Sequence, residues 1–251
     1  MNVLERALVE KAGRENGWEN VNASADAGVV LASARHRGRA TILAMDPAPG
    51  WHLEFPEARL ARELDRTLPG LTQGGGRFDA SDMDTLAALL RRAAELALSL
   101  PDQAARTYRE RAAAQLASIA AKGTEVERMV RQRVGQDVFR EALLDYWGGA
   151  CAVTGLALPE VLRASHAKPW ADCETDEERL DVFNGFLLVA HLDALFDRGF
   201  VTFDVSGGLV VSGSLGTVER SKLHLDGDLR LRWLAPEHHS YLAWHRAHQF
   251  R

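Results

Sequence analysis

Six consecutive residues, Ser165-His166-Ala167-Lys168-Pro169-Trp170, stand upstream of Asn184, Asp193 and Asp197. A neutral imidazole can take a proton from water near pH 7, because its unperturbed pKa lies close by. An asparagine can orient that ring without titrating. Carboxylates at i and i+4 share one helix face, close enough to hold one hard divalent cation. The set is what one-metal hydrolysis of a phosphodiester requires. Leu192, Leu195 and Phe196 make the rest of the Asp193/Asp197 helix apolar, so the two carboxylates form an isolated acidic stripe. Ser165 stands third in the metal set. Its hydroxyl is too weak to hold an ion alone, with its backbone carbonyl or a water as alternative donors. His191 is the rival ligand. Two carboxylates with waters favour Mg²⁺ or Mn²⁺ over Zn²⁺, which prefers His and Cys.

At these residues the chain resembles the HNH nuclease superfamily, whose catalytic unit is the ββα-metal motif. The closest branch is a bacterial restriction-type group with S-H-x-K-P-W, N-G-x-L-L and L-D-x-L-F-D-R-G. Here these read as residues 165–170, 184–188 and 192–199. Further matches are Arg133-Val134-Gly135-Gln136 with Phe139-Arg140, Cys151-Ala152-Val153-Thr154-Gly155, and Tyr241-Leu242-Ala243-Trp244-His245-Arg246. The resemblance spans residues 124–251. It implies that His166 is the general base, Asn184 the central asparagine, and Asp193 and Asp197 the metal ligands. Ser165 departs from the Asp or His common at its position. Lys168 and Arg198 flank the site as candidate phosphate contacts. Arg133, Gln136 and Arg140 are expected to touch the DNA backbone or brace the site.

The whole-chain totals set limits on this reading. The 251 residues suit one large domain or two small ones, and 46% apolar with 26% charged residues is ordinary for a globular protein. No apolar run approaches a bilayer span, and the N-terminus lacks a signal-peptide layout, so the expected location is cytoplasmic with no membrane partner. The net charge is −5. Residues 1–130 hold 17 basic and 18 acidic side chains and the remainder 13 and 17, so neither half is basic. Affinity for double-stranded DNA must come from a local patch and the metal. Cys151 and Cys173 cannot build a four-cysteine zinc site and are expected as buried free thiols.

Elements follow from periodicity. Residues 2–15 read as a helix, residues 29–34 and 41–45 as a hairpin about Arg35, Arg37 and Arg39, and residues 51–55 as a third strand. Residues 57–66 read as a helix and 68–78 as a flexible loop. Ser81-x-x-Asp84 is a capping box opening a helix to Leu100, and Thr124-x-x-Glu127 is a second box. Residues 104–121 and 137–146 read as helices, 161–166 and 186–189 as the motif strands, and 192–197 as the metal helix. A hairpin crosses Ser206-Gly207-Gly208.

The fold expected is α+β. An N-terminal α/β-meander-plus-helices domain at 1–100 selects the target, a helical connector occupies 101–123, and an HNH domain fills 124–251. The function expected is a metal-dependent DNA endonuclease of restriction or host-defence type that senses modified DNA, with a homodimer left open. Two alternatives stand beside it: a non-catalytic binding module on a decayed HNH fold, and a toxin-like nuclease with a partner-binding N-terminal domain.

Overall fold

The computed structural model describes residues 1–46, 49–119 and 123–251. The chain is α+β and divides into two compact units, Met1–Leu98 and Ser99–Arg251.

The first unit opens with helix α1 (Val3–Glu15), where the Asn2 side chain accepts from the Glu5 amide and the Glu5 side chain accepts from the Asn2 amide. Strands β1 (Asn20–Ala25), β2 (Gly28–Ala32), β3 (Arg39–Ala44) and β4 (Trp51–Glu54) follow. Helix α2 (Ala58–Thr67), strands β5 (Thr72–Gly74) and β6 (Arg77–Ala80), and helix α3 (Met83–Ser99) complete it. The six strands form one antiparallel sheet in the order β1-β2-β3-β4-β6-β5. Alternate residues Leu31, Ile42, Leu53 and Phe78 are fully buried, together with Trp18, whose indole N–H donates to the Leu90 carbonyl of α3 at 2.8 Å. The opposite face carries Thr41, His52, Glu54, Arg77 and Asp79, all at least partly accessible. There His52 faces Asp79 and Glu54 faces Arg77 across one strand pair, and both couples are bonded, at 2.6 Å each.

Three sequence expectations need correction in this unit. Residues 68–78 are not a loop throughout, because they hold β5 and the start of β6; buried Phe78 pairs with Leu53 and draws the segment into the sheet. The cap of α3 is Asp82, whose carboxylate accepts from the Thr85 amide at 2.7 Å; Ser81 donates to that carboxylate instead. The turn at Arg35–Arg39 is not simply exposed. His36 is buried against the Trp18 edge, bonded to the Gly17 carbonyl and the Gly38 amide, so only the arginines project.

The second unit begins with α4 (Pro101–Ser118) and α5 (Thr124–Tyr146), which pack on each other. The segment expected as a connector thus packs within this unit as far as it is described; residues 120–122 lie outside the described residues. Helix α5 is one element from Thr124, longer than the stretch 137–146 read from sequence, and Gly123 rather than Thr124 occupies its N-cap. Then come β7 (Leu162–His166), the short α6 (Asp176–Leu180), β8 (Gly185–Val189), α7 (Ala190–Asp197), a β9–β10 hairpin (Val201–Phe203, Leu209–Val211), α8 (Thr217–Lys222) and α9 (His238–His248). Strands β7 and β8 pair antiparallel, Ser165 opposite Phe186 and His166 opposite Gly185, and α7 packs on both. Arg232 donates to the carbonyls of Trp147, Ala150 and Cys151, clasping the turn at Cys151–Thr154. Both cysteines are buried and free, as expected.

Candidate active site

His166 ends β7 with its ring stacked on Phe139 of α5, centroids 3.7 Å apart and planes within 15°. Trp170 meets its edge at 6.0 Å. Its Nε2 lies 2.9 Å from the Arg179 carbonyl, which can only accept, so the neutral ring carries its proton on Nε2 and leaves the Nδ1 lone pair open. Desolvation pulls its pKa down to about 4, and the Arg179 bond only partly offsets that. The ring is therefore an unprotonated base throughout the neutral range.

Two glycines make this packing feasible. A Cβ on Gly135 would come 2.3 Å from the Trp170 ring, and one on Gly185 would lie 2.5 Å from the Phe139 ring and 2.6 Å from the Ser165 carbonyl. The segment Arg133–Arg140 thus folds against the site through Gly135 and Phe139. Arg140 donates to the Leu162 and Pro159 carbonyls at 2.9 and 3.1 Å and so braces β7, while Arg133 and Gln136 are exposed on α5.

Asn184 is fully buried, and its bonds differ from the expected direct hold on the imidazole. Its amide oxygen accepts from the Lys168 N–H at 2.8 Å, and its nitrogen donates to the Lys168 and Glu178 carbonyls at 3.1 Å each. It pins the loop whose next residue, Arg179, accepts the hydrogen bond from His166 Nε2 at its carbonyl. Orientation is transmitted through backbone, which side-chain reasoning did not reveal. Lys168 is likewise committed, in an ion pair with Glu178 at 2.6 Å, and this raises its pKa. The pair braces the loop that leads to Arg179.

The acidic side of the site lies on α7. The Ser165 hydroxyl donates to Asp197 Oδ1 at 3.1 Å. Desolvation pushes the pKa of both Asp193 and Asp197 up, and Asp193 pushes Asp197 further; the Ser165 hydroxyl and Arg198 act in the opposite sense on both. Arg198, exposed at the α7 C-cap, makes no ion pair among the described residues. His191 is exposed at the start of α7, its pKa lowered by desolvation and by His224. Two carboxylates one helical turn apart form a hard-oxygen donor set, and Asp193, Asp197 and Ser165 are of the chemistry that a divalent ion such as Mg²⁺ or Mn²⁺ takes. No group of three or more His, Cys, Asp or Glu side chains gathers among the described residues, so water must complete any coordination.

A cleft of about 330 Å³ brings base and acid together. It is lined by Ala164, His166, Pro169, Trp170, Asp197, His245 and Gln249. Residues 151–204, which hold β7, β8, α7 and β9, match the family described as HNH endonuclease. This stretch is similar to an HNH segment. No curated protein matches the chain. The HNH segment is supported from outside its matched span. Tyr241 of α9 donates to Asp181 at 3.0 Å, and Asp181 caps the turn that carries Asn184. His245 stacks on Phe196 of α7 at 3.9 Å, with Nε2 donating to the Phe196 carbonyl and Nδ1 accepting from Thr202. Arg246 donates to the Phe203 carbonyl at 2.7 Å. The Tyr241–Arg246 motif is therefore a clamp on the HNH segment. Arg179, Glu178 and Phe139 are the supporting residues whose roles sequence reasoning missed. Only Phe139 had a signal, its place in the Arg133–Arg140 match.

Proposed function

We propose that the second unit is a metal-dependent DNA endonuclease centre in which His166 is the general base. The observation that carries this reading is the shared cleft: an imidazole with a free Nδ1 and the Asp197 carboxylate open into one space within an HNH segment. Nδ1 of His166 takes a proton from a water as the water oxygen bonds to phosphorus. The bond to the 3′ oxygen then breaks, and that oxygen is protonated by solvent. Asn184 and Arg179 hold the ring's tautomer through the loop, and Phe139 and Trp170 fix its plane. Asp193 and Asp197, with Ser165, would hold a divalent cation, which supplies charge compensation at the phosphate oxygens in the transition state. Arg198 stands next to this pair, with no ion pair among the described residues, and is assigned to a DNA phosphate.

The biological role we infer is restriction or host defence. The first unit would serve as the target-selecting domain on double-stranded DNA, with modified bases as the target feature and Arg35, Arg37 and Arg39 as its phosphate contacts. What supports a separate role for it is its own sheet and core, complete within Met1–Leu98.

The deciding experiment is single-turnover cleavage of plasmid, modified and unmodified, in Mg²⁺ and Mn²⁺. His166→Ala is expected to lose about 10²- to 10⁴-fold in rate, the range of general-base catalysis. Cutting by this variant at the wild-type rate would remove His166 from the mechanism.

A further inference from the structure

Gln249 is the C-cap of α9, one turn beyond His245, and it lines the cleft with His166 and Asp197. Its backbone is fixed. Its N–H donates to the His245 carbonyl at 2.9 Å. The next residues are stitched to the end of α7 and to the β10 hairpin, Arg251 donating to the Gly199 carbonyl at 3.0 Å and accepting from Ser212 at 2.8 Å. Gly199 has φ +71°, and a Cβ there would sit 1.9 Å from the Gln249 carbonyl, so the chain approaches as closely as glycine permits.

The side chain is different. The Gln249 amide makes no hydrogen bond to any described residue. The other polar groups around the cleft are engaged: His166 Nε2 with Arg179, both His245 nitrogens, and Asp197 with Ser165. No Lys or Arg lines the cleft among the described residues. A phosphodiester entering it therefore meets two uncommitted donors, the Gln249 amide and the Trp170 indole N–H. Trp170 is held with its six-membered ring against Gly135.

We propose that Gln249 is a substrate-positioning residue, its side-chain NH₂ donating to a phosphate oxygen of the DNA strand that enters the cleft. This rests on the reading of the cleft as a phosphodiester site. The contact sets where the strand lies relative to Nδ1 of His166, and it comes from outside the segment that matches the HNH family.

Binding and cutting are measured separately. Anisotropy of a labelled duplex in Ca²⁺, across a salt series, is compared for wild type, Gln249→Ala and Gln249→Lys. One hydrogen bond to a charged group corresponds to about tenfold or more in affinity, so Gln249→Ala is expected to bind about tenfold more weakly. Its salt slope should stay at the wild-type value, because no charge is lost. Gln249→Lys should steepen that slope by about one, the signature of an added phosphate contact. If Gln249→Ala binds within twofold of wild type, the proposal falls. It also falls if Gln249→Lys leaves the slope unchanged, since the loss in Gln249→Ala would then reflect packing of the tail. Cleavage by the wild type in Mg²⁺ or Mn²⁺ is the independent arm: its failure sinks the nuclease reading, while the binding series still decides the role of Gln249.

Discussion

The open face of the six-stranded sheet and the cleft in the second unit treat charge in opposite ways. On the sheet, every carboxylate named above has a partner directly across the strands: Glu54 with Arg77 and Asp79 with His52. At the cleft and beside it, Asp197 and Asp193 stand one turn apart with their pKa values pushed up, and a histidine is desolvated to a pKa of about 4. Local satisfaction marks a surface that the fold alone explains. Unresolved repulsion and forced neutrality mark one shaped by chemistry, because they persist only where function offsets their cost.

The sharpest break of that contrast is Asn184→Ala. It removes a buried amide that bonds the Lys168 and Glu178 backbone. We expect about 3 kcal/mol of lost stability, read from the urea midpoint, with cleavage falling further than that loss predicts as the Arg179 carbonyl drifts from His166. Unchanged stability would show that the loop is held by other contacts.

Acid is the next lever. His166 has a folded pKa of about 4 against an ordinary value of 6.5, so the unfolded chain binds its proton first. Its contribution is complete above pH 6.5 and is lost as pH falls towards 4, a change of about 3 kcal/mol. His36 and His245, also pulled down by burial, add in the same direction. Urea midpoints at pH 7 and 4.5 test this, and His166→Gln should flatten the dependence.

The smallest effect bears most directly on the contrast. Asp197→Asn should weaken Mn²⁺ binding in calorimetry and yet raise the Tm of the metal-free protein by about 1–2 °C. A like-charged i, i+4 pair costs a few tenths of a kcal/mol, and a chain of this size gains about 2–4 °C per kcal/mol. Glu54→Gln on the sheet should lower Tm by a similar amount. If both variants move Tm in the same direction, the two surfaces do not differ as argued.

These pairings also show what a sequence can carry. The imidazole, the acidic stripe, the motif strands and the buried thiols were legible because each depends on residue type and short spacing. The role of Asn184 was not, since its partners are carbonyls 6 and 16 residues away, and a carbonyl leaves no trace in side-chain identity. Lys168 looked available because Glu178 reaches it only once α6 folds back. Strand β1 (Asn20–Ala25) went unread because all six of its residues are exposed, so it has no apolar alternation to detect. The α3 cap was misplaced by one position because Ser81 and Asp82 are both good caps, and only geometry chooses between them.

The clasp of Arg232 on the Cys151–Thr154 turn has a practical consequence. A guanidinium stays charged throughout the working range, and this one is bound to three carbonyls of the chain itself. A chelator has no hold on such a joint. Stripping divalent ions with EDTA should therefore silence cutting while leaving the fold around Cys151 standing, so enzyme purified in chelator could be switched on by adding back Mg²⁺ without any refolding.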